Sequence, residues 1–369
     1  MKLALVHDYL TQYGGAERVL QAFEDVFPKS PIYTLLYDEK TMKDFFRPDK
    51  IKTSFMQRLP FAAGHHRGFL LFMPMAIEQF DFSKYNVVVS DSASYAKGVI
   101  TNPETLHICY CHTPLRYAWD DSQKYIKEFP VSRLIKSVLP ILMSYIRIWD
   151  RQASKRVDKF IANSGFVASR IKKYYKKDAH VIYPPVDVSF FDNNEKPGDY
   201  FLMVGRLISY KKFDLGIRAF NKLGLPLKIV GSGPELKKLK KISADNIEFL
   251  GELRGEDVKK VYAGSRALIF PQEEDFGLVS VESMAAGRPI IAFKAGGALE
   301  IIKEGVSGVF FDEQTEESLV GAVKKFENMK FDASIIKREA KKFDKEEFKK
   351  KIKDFVDKSY AEHIRAINS

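Results

Sequence analysis

The sequence is poor in cysteine, with 2 in 369 residues, Cys109 and Cys111. They lie two apart on one strand-like run. Alternation places both side chains on the same face, where a bridge within a single strand is geometrically poor. A disulfide framework is excluded, and a reducing cytosol fits. No apolar run approaches the ~20 residues that cross a bilayer. The opening MKLALVHDYL is too short in apolar residues for a signal peptide and passes straight into a motif. Its glycine turn is not G-x-G-x-x-G, so the dinucleotide fingerprint is absent. No Asp-x-Asp stands at a suitable strand end, and His65-His66 has no third ligand spaced nearby, so no metal site is expected.

Positive charge, by contrast, is abundant. Of the net +11, residues 1–190 supply +8, from 27 Lys and Arg against 19 Asp and Glu. Such an excess attracts phosphates, nucleic acid or anionic lipid. The basic residues are not arranged as a nucleic-acid reading module, so that partner is not expected. Two stretches mix basic and bulky apolar residues as at a membrane interface. One, 52–75, holds Lys52, Arg58 and Arg67 among Phe55, Phe61, Leu71 and Phe72. The other, a helical pattern over 131–157 interrupted by Pro140, holds Arg133, Lys136, Arg147 and Arg151 among Leu134, Ile135, Val138, Ile141, Tyr145 and Ile148. For 69–80 a core helix with a basic rim is the competing expectation.

The length fits about two domains. A buried-type strand over 2–7 leads through a loop to Gly14-Gly15, which open a helix; two adjacent glycines let a ligand approach the backbone at a helix N-terminus. Further strands are predicted over 31–37, 87–90, 106–111, 159–163 and 181–183, with Ser164 capping a helix. The strand over 106–111 ends in HTPLRYAWD, residues 112–120. His112, Arg116, Tyr117 and Trp119 thus gather where open α/β sheets bind ligands, and an aromatic surface with hydrogen-bonding partners suits a sugar ring. Residues 184–199 read as the hinge.

A second strand–helix alternation begins at Tyr200, with strands over 200–204, 227–230, 247–251 and 267–270 and a helix over 256–263. Arg206 and Lys211 straddle the first strand-to-helix loop, where two cations would clamp a diphosphate; Lys212 is the neighbouring alternative. Gly231 and Gly233 form another backbone-accessible turn. The chain is organised around residues 271–300, PQEEDFGLVSVESMAAGRPIIAFKAGGALE. Here a strand end, an acidic turn and a helix over 279–286 place Glu274 at a ligand-binding edge. The N–H groups of Phe276, Gly277 and Leu278 face an anion bound before the helix, and Glu282 lies in its first turns, where a carboxylate suits the vicinal hydroxyls of a ribose. A terminal helix near 345–366 carries Phe348, Ile352, Phe355, Val356, Tyr360 and Ile364 on one stripe.

The run EEDFGLVSVESMAAGRPIIAF resembles the sugar-nucleotide signature of the retaining GT-B glycosyltransferases, family 4, and the likeness extends over nearly the whole chain. The resemblance implies an α/β protein of two Rossmann-like domains facing a cleft. An acceptor-binding domain would occupy 1–190, with the C-terminal helix of about 345–369 crossing back onto it, and a nucleotide-sugar-binding domain 191–344. It implies that Arg206 and Lys211 clamp the donor diphosphate without metal, and that Gly14 and Gly15 lie under the donor phosphates. It further implies that His112 contacts the transferred sugar, with Glu274 on the donor sugar hydroxyls. HTPLRYAWD and YPPVD look most like bacterial mannosyltransferases of O-antigen and capsule assembly, which suggests GDP-mannose. A UDP-sugar donor, or a non-catalytic carbohydrate- or membrane-binding shell, is the alternative. A lipid-linked glycan acceptor, no bound cofactor, and peripheral attachment to the cytoplasmic face of the inner membrane complete the expectation.

Overall fold

The computed structural model describes residues 1–59, 69–120, 122 and 133–368, with only the backbone for 133–135. His65, His66, Arg67 and Phe61 lie outside the described residues, as do residues 131 and 132. The chain divides into two compact units. The first comprises Met1–Tyr183 and Phe348–Ser369, the second Pro184–Glu347.

The first unit holds a parallel sheet of β1 (Leu3–His7), β2 (Ile32–Thr34), β3 (Ile51–Thr53), β4 (Val87–Ser92), β5 (Leu106–Cys111), β6 (Lys159–Ala162) and β7 (Ala179–Val181), ordered β3-β2-β1-β4-β5-β6-β7. β1, β4 and β5 are buried at every residue. That is why they read as continuous apolar runs and not as alternating ones. Three helices of this unit matter below: α1 (Gly15–Val26), α2 (Arg133–Lys155) and α3 (Gly165–Tyr175). As expected, the Ser164 hydroxyl caps α3 by accepting from the Val167 N–H.

The second unit repeats the plan with β8 (Tyr200–Val204), β9 (Leu227–Val230), β10 (Ile247–Gly251), β11 (Ser265–Phe270), β12 (Ile290–Phe293) and β13 (Gly308–Phe311), ordered β10-β9-β8-β11-β12-β13. Its helices α4 (Phe213–Leu223) and α5 (Leu278–Ala285) follow β8 and β11. In both sheets the chain runs outward one way from the first strand and then returns to build the other side. This creates a switch point between β1 and β4 and another between β8 and β11, the places where open α/β sheets bind ligands.

The last helix, α6 (Lys345–Asn368), completes the core of the first unit. Phe348, Ile352 and Val356 are buried at four-residue spacing, and Phe348 meets Phe23 and Tyr110 edge-on at 5.7 and 5.8 Å. Phe355 and Tyr360 pack at the margin of the same cluster.

Two predicted strands are corrected. β2 stops at Thr34 because the next residues pair with the loop after β1 instead: the Leu35 N–H donates to Asp8 and the Leu10 N–H to Leu36. β7 is Ala179–Val181, two residues earlier than predicted; the Ile182 N–H still donates to the Ala162 carbonyl at 3.0 Å, and beyond Tyr183 Pro184 and Pro185 have no N–H to extend a ladder.

Candidate functional site

At the switch point of the second sheet, β8 runs into Gly205-Arg206-Leu207 and a short 3-10 turn, Ser209–Lys211. The loop after β9 lies directly against this segment. Leu207 N–H donates to Ser232 at 2.9 Å and Glu235 N–H to Leu207 at 3.1 Å. A Cβ on Gly231 would stand 1.9 Å from the Gly205 carbonyl oxygen, and one on Gly233 2.4 Å from that of Leu207. The structure therefore gives both glycines a packing reason: any side chain there would push the β8 loop away.

Lys211 and Glu274, 63 residues apart in sequence, form an ion pair. Their side chains are 17% and 14% exposed, so the pair sits at the surface edge of the core. Burial works to discharge Lys211, the attraction of Glu274 outweighs it, and the amine pKa ends above its ordinary value; the nearby Arg206 opposes the shift. Arg206 itself is exposed. Lys212 takes the N-cap of α4 with a left-handed backbone, φ 55°.

The Glu274–Gly277 turn is held from behind. Gly297 N–H donates to the Glu274 carbonyl at 2.9 Å, and a Cβ on Gly297 would lie 2.5 Å from Phe276 Cα. The Phe276 ring is buried edge-on to Phe343, which leaves only its backbone as a candidate anion contact; Gly277 caps α5 and Leu278 begins it. Glu282 is the exception to the expected cluster. It is 3% exposed, and Tyr262 Oη donates to its Oε2 at 2.7 Å. Glu282, expected to suit a ribose, is thus buried with one of its two carboxylate oxygens bonded to Tyr262.

At the switch point of the first sheet, the ends of β1, β4 and β5 bring together side chains far apart in sequence. His7 is in register with Asp91 across β1 and β4. His7 Nδ1 bonds Asp91 Oδ2 at 2.8 Å, and Asp91 Oδ1 bonds His112 Nε2 at 2.6 Å. On the other side His7 Nε2 lies 3.5 Å from Glu17 Oε1, and the Gly14 N–H donates to Glu17 Oε2 at 2.8 Å. Burial disfavours the charge on His7, but Asp91 and Glu17 outweigh it and lift its pKa to about 10. Burial likewise disfavours ionised Asp91, and His112 and His7 hold its carboxyl below the usual range. The Gly14 N–H, expected under a phosphate, is already engaged by Glu17. Gly15 begins α1.

The 112–120 loop is braced and not open. Tyr117 Oη donates to Tyr95 Oη at 2.7 Å. Trp119 stacks on Tyr174 at 4.7 Å and donates through Nε1 to Asp150 at 2.8 Å. Arg170 ties Thr113 to Asp120, and Arg147 Nε donates to the Ala118 carbonyl at 2.7 Å. Arg116 is half-buried. Of the expected sugar-facing residues, Tyr117 and Trp119 thus spend their polar groups on Tyr95 and Asp150. Arg147, read in sequence as interfacial, anchors that loop too.

His7, Glu17, Asp91 and a buried pair, Lys97 and Asp150 at 2.6 Å, were not singled out in sequence as functional residues. His7 and Asp91 carried one signal, their place at strand ends; Lys97 carried none. Among the described residues no cluster of His, Cys, Asp and Glu is arranged to hold a metal ion, and no helix is long and apolar enough to cross a membrane.

Residues 13–190 match the family model Glycosyltransferase Family 4, and residues 187–359 match Glycosyl transferases group 1. An uncharacterized glycosyltransferase of Methanocaldococcus jannaschii is 30% identical over 180 residues, 47% of this chain and 50% of that protein. A GDP-mannose-dependent alpha-mannosyltransferase of Corynebacterium glutamicum is 38% identical over 110 residues, 30% of this chain and 26% of that protein. The matches thus span about half the length of the first relative and about a quarter of the second. Anabaena HepE, solved in complex with UDP and glucose, superposes with a TM-score of 0.72 at 17% identity, covering 97% of this chain and 99% of that one, a likeness of fold. With two Rossmann-like sheets and two family models that together run from residue 13 to 359, the chain belongs to the glycosyltransferases of GT-B type.

Proposed function

We propose that the protein is a retaining hexosyltransferase that moves mannose from GDP-mannose to a lipid-linked glycan in surface polysaccharide assembly. The observation that carries the donor reading is the Lys211–Glu274 pair at the second switch point, with Arg206 beside it. Breaking the sugar–phosphate bond leaves negative charge on a diphosphate. Fixed cations in a partly dry site stabilise that charge without solvent reorganisation. Arg206 and Lys211 are the cations, the N–H groups before α5 add a dipole, and Glu274 is left to accept from sugar hydroxyls. No metal has a part in this reading. Glu282, held by Tyr262 through one oxygen, keeps acceptor capacity on its carboxylate for the vicinal hydroxyls of a ribose. Mannose rests on the Corynebacterium relative, a GDP-mannose-dependent alpha-mannosyltransferase. A UDP-sugar is the second reading, favoured by the UDP and glucose in the Anabaena structure.

The membrane reading rests on α2. Val138, Ile141, Tyr145 and Ile148 are all exposed, with Ile141 at 72% and Ile148 at 65%, and they recur at helical spacing along one face. Exposed Arg151 and Lys155 follow them. An apolar face with basic neighbours suits the cytoplasmic surface of an anionic membrane, where a lipid-linked acceptor would be met.

Thermal shift against GDP, UDP, GDP-mannose and UDP-glucose tests the donor, because a ligand of the native state raises Tm. GDP-mannose stabilisation with slow release of free mannose and GDP is the expected result. Stabilisation by UDP alone replaces the donor, and complete loss of turnover in a chelator removes the metal-free clamp.

A further inference from the structure

We infer that Asp91, His7 and Glu17 are positioning residues that fix the ring of His112 in one tautomer and join it to the Gly14 turn, an inference that rests on the transferase reading above. The series Gly14, Glu17, His7, Asp91, His112 is continuous through contacts of 2.8, 3.5, 2.8 and 2.6 Å. Each member sits on the rim of the first switch point, on β1, on β4, just after β5, or at the start of α1. Asp91 is 1% exposed, whereas His112 at 13% is the one side chain of the series that reaches the surface.

The chemistry of the groups assigns the protons. An ionised carboxylate only accepts. Asp91 therefore receives hydrogen bonds from His112 Nε2 and from His7 Nδ1. Glu17 faces the other nitrogen of His7, so both ring nitrogens of His7 donate and the ring is an imidazolium held between two carboxylates. Its pKa of about 10 agrees with that assignment. Tyr110, whose ring lies 5.3 Å from that of His112, stays a neutral phenol, since burial pushes its pKa up. With Nε2 of His112 bound to Asp91, a neutral ring keeps Nδ1 as its acceptor. One cation between two carboxylates leaves a net negative charge behind that ring, which strengthens Nδ1 as an acceptor for a substrate hydroxyl.

A network of this kind is a costly way to fill space. Buried ionic groups can be replaced by well-packed apolar ones with little or no loss of stability. What an apolar core could not do is hold a ring in one orientation and one tautomer, which is what carboxylate partners do for histidines at reactive centres.

The test uses the full chain labelled with 15N-histidine. Long-range 1H–15N spectra at pH 7.5 are expected to show His112 as the Nε2–H tautomer and His7 with both nitrogens protonated. Asp91→Asn, whose amide can donate, is expected to mix or reverse the His112 tautomer. It should also lower kcat for donor hydrolysis on the order of 10–100-fold, the range for outer-shell partners of a functional histidine, with nucleotide-diphosphate affinity unchanged. Glu17→Gln serves should Asp91→Asn fail to fold: it keeps the hydrogen-bond geometry, removes one carboxylate charge, and is expected to let His7 lose its proton at lower pH. A wild-type His112 that is Nδ1–H or averages between tautomers overturns the inference, as does a tautomer change in Asp91→Asn with kcat intact. If wild-type protein hydrolyses no nucleotide sugar while the spectra are as expected, the transferase reading fails and the proton assignment stands.

Discussion

The two switch points share one topology and fill it with opposite chemistry. Behind the ends of β1 and β4, carboxylates and imidazoles satisfy one another below the surface, with Asp91 bonded through both oxygens and Asp8 receiving the N–H groups of Ala93, Tyr95 and Ala96 at 2.6–2.7 Å. Nearby, Lys97 and Asp150 are paired with no exposure at all. Behind β8 and β11 the charges stay at the edge: Arg206 is exposed, and the Lys211–Glu274 pair is partly so. Groups closed on each other hold shape and exchange nothing. Groups at an edge can trade a protein partner for a ligand phosphate at modest cost. On the function proposed above, the first site orients and the second binds charge.

The sharpest test of that contrast is stability. Lys97→Met leaves Asp150 as an uncompensated buried charge beside Trp119 and Tyr175, which also donate to it. We expect a loss of about 3–5 kcal/mol, read as a fall in the urea midpoint at unchanged m-value. A loss below about 1 kcal/mol would mean the two interiors are not different in kind.

Arg206→Ala is expected to behave in the reverse way. Stability should stay within about 0.5 kcal/mol of wild type, while kcat/KM for the donor falls by about 2–4 kcal/mol, the order for one charge-stabilising group. Equal turnover in the variant would remove the clamp from this loop.

A third test uses pH and a second buried histidine of the first unit. His107 bonds Ser90 Oγ at 2.8 Å, and burial, with the nearby Arg156, presses its pKa down to about 3. It stays neutral in the fold but takes up a proton in the unfolded chain below the ordinary value of 6.5. Its contribution is therefore present above pH 6.5 and is lost as pH falls toward 3. At pH 5.5 that loss is about 1.4 kcal/mol. His7 has the opposite sign: its contribution is full below 6.5 and lost as pH rises through about 10. Urea midpoints across pH should show His107→Gln with a shallower acid limb than wild type and an unaltered alkaline one.

The smallest stability effect should come from the outer face of α2. Ile141→Ser and Ile148→Ser are expected to change stability by less than about 0.5 kcal/mol while reducing co-sedimentation with anionic vesicles. Unchanged vesicle binding would move the membrane contact elsewhere on the chain.

Much of the architecture was legible from local pattern. The strands Leu106–Cys111, Tyr200–Val204, Leu227–Val230 and Ile247–Gly251 and the helix Glu256–Ala263 stand at the predicted residues. Buried parallel strands are apolar throughout and end at glycine, proline or polar turns, and those signals are local. The places of Arg206 and Glu274 were legible for the same reason, since each lies just past a strand whose end could be read, and Lys211 ends the short turn after the first of them. Which strand ends meet is not a local property. His7, Asp91 and His112 are 84 and 21 residues apart, and only the order β1-β4-β5 makes them neighbours. The hydrogen bond of Tyr262 to Glu282, the commitment of Trp119 to Asp150 and the burial of Lys97 are likewise decided by what packs opposite each side chain. A sequence carries the chemistry of each group, but the dielectric and the partner that determine what the group does arrive only with the fold.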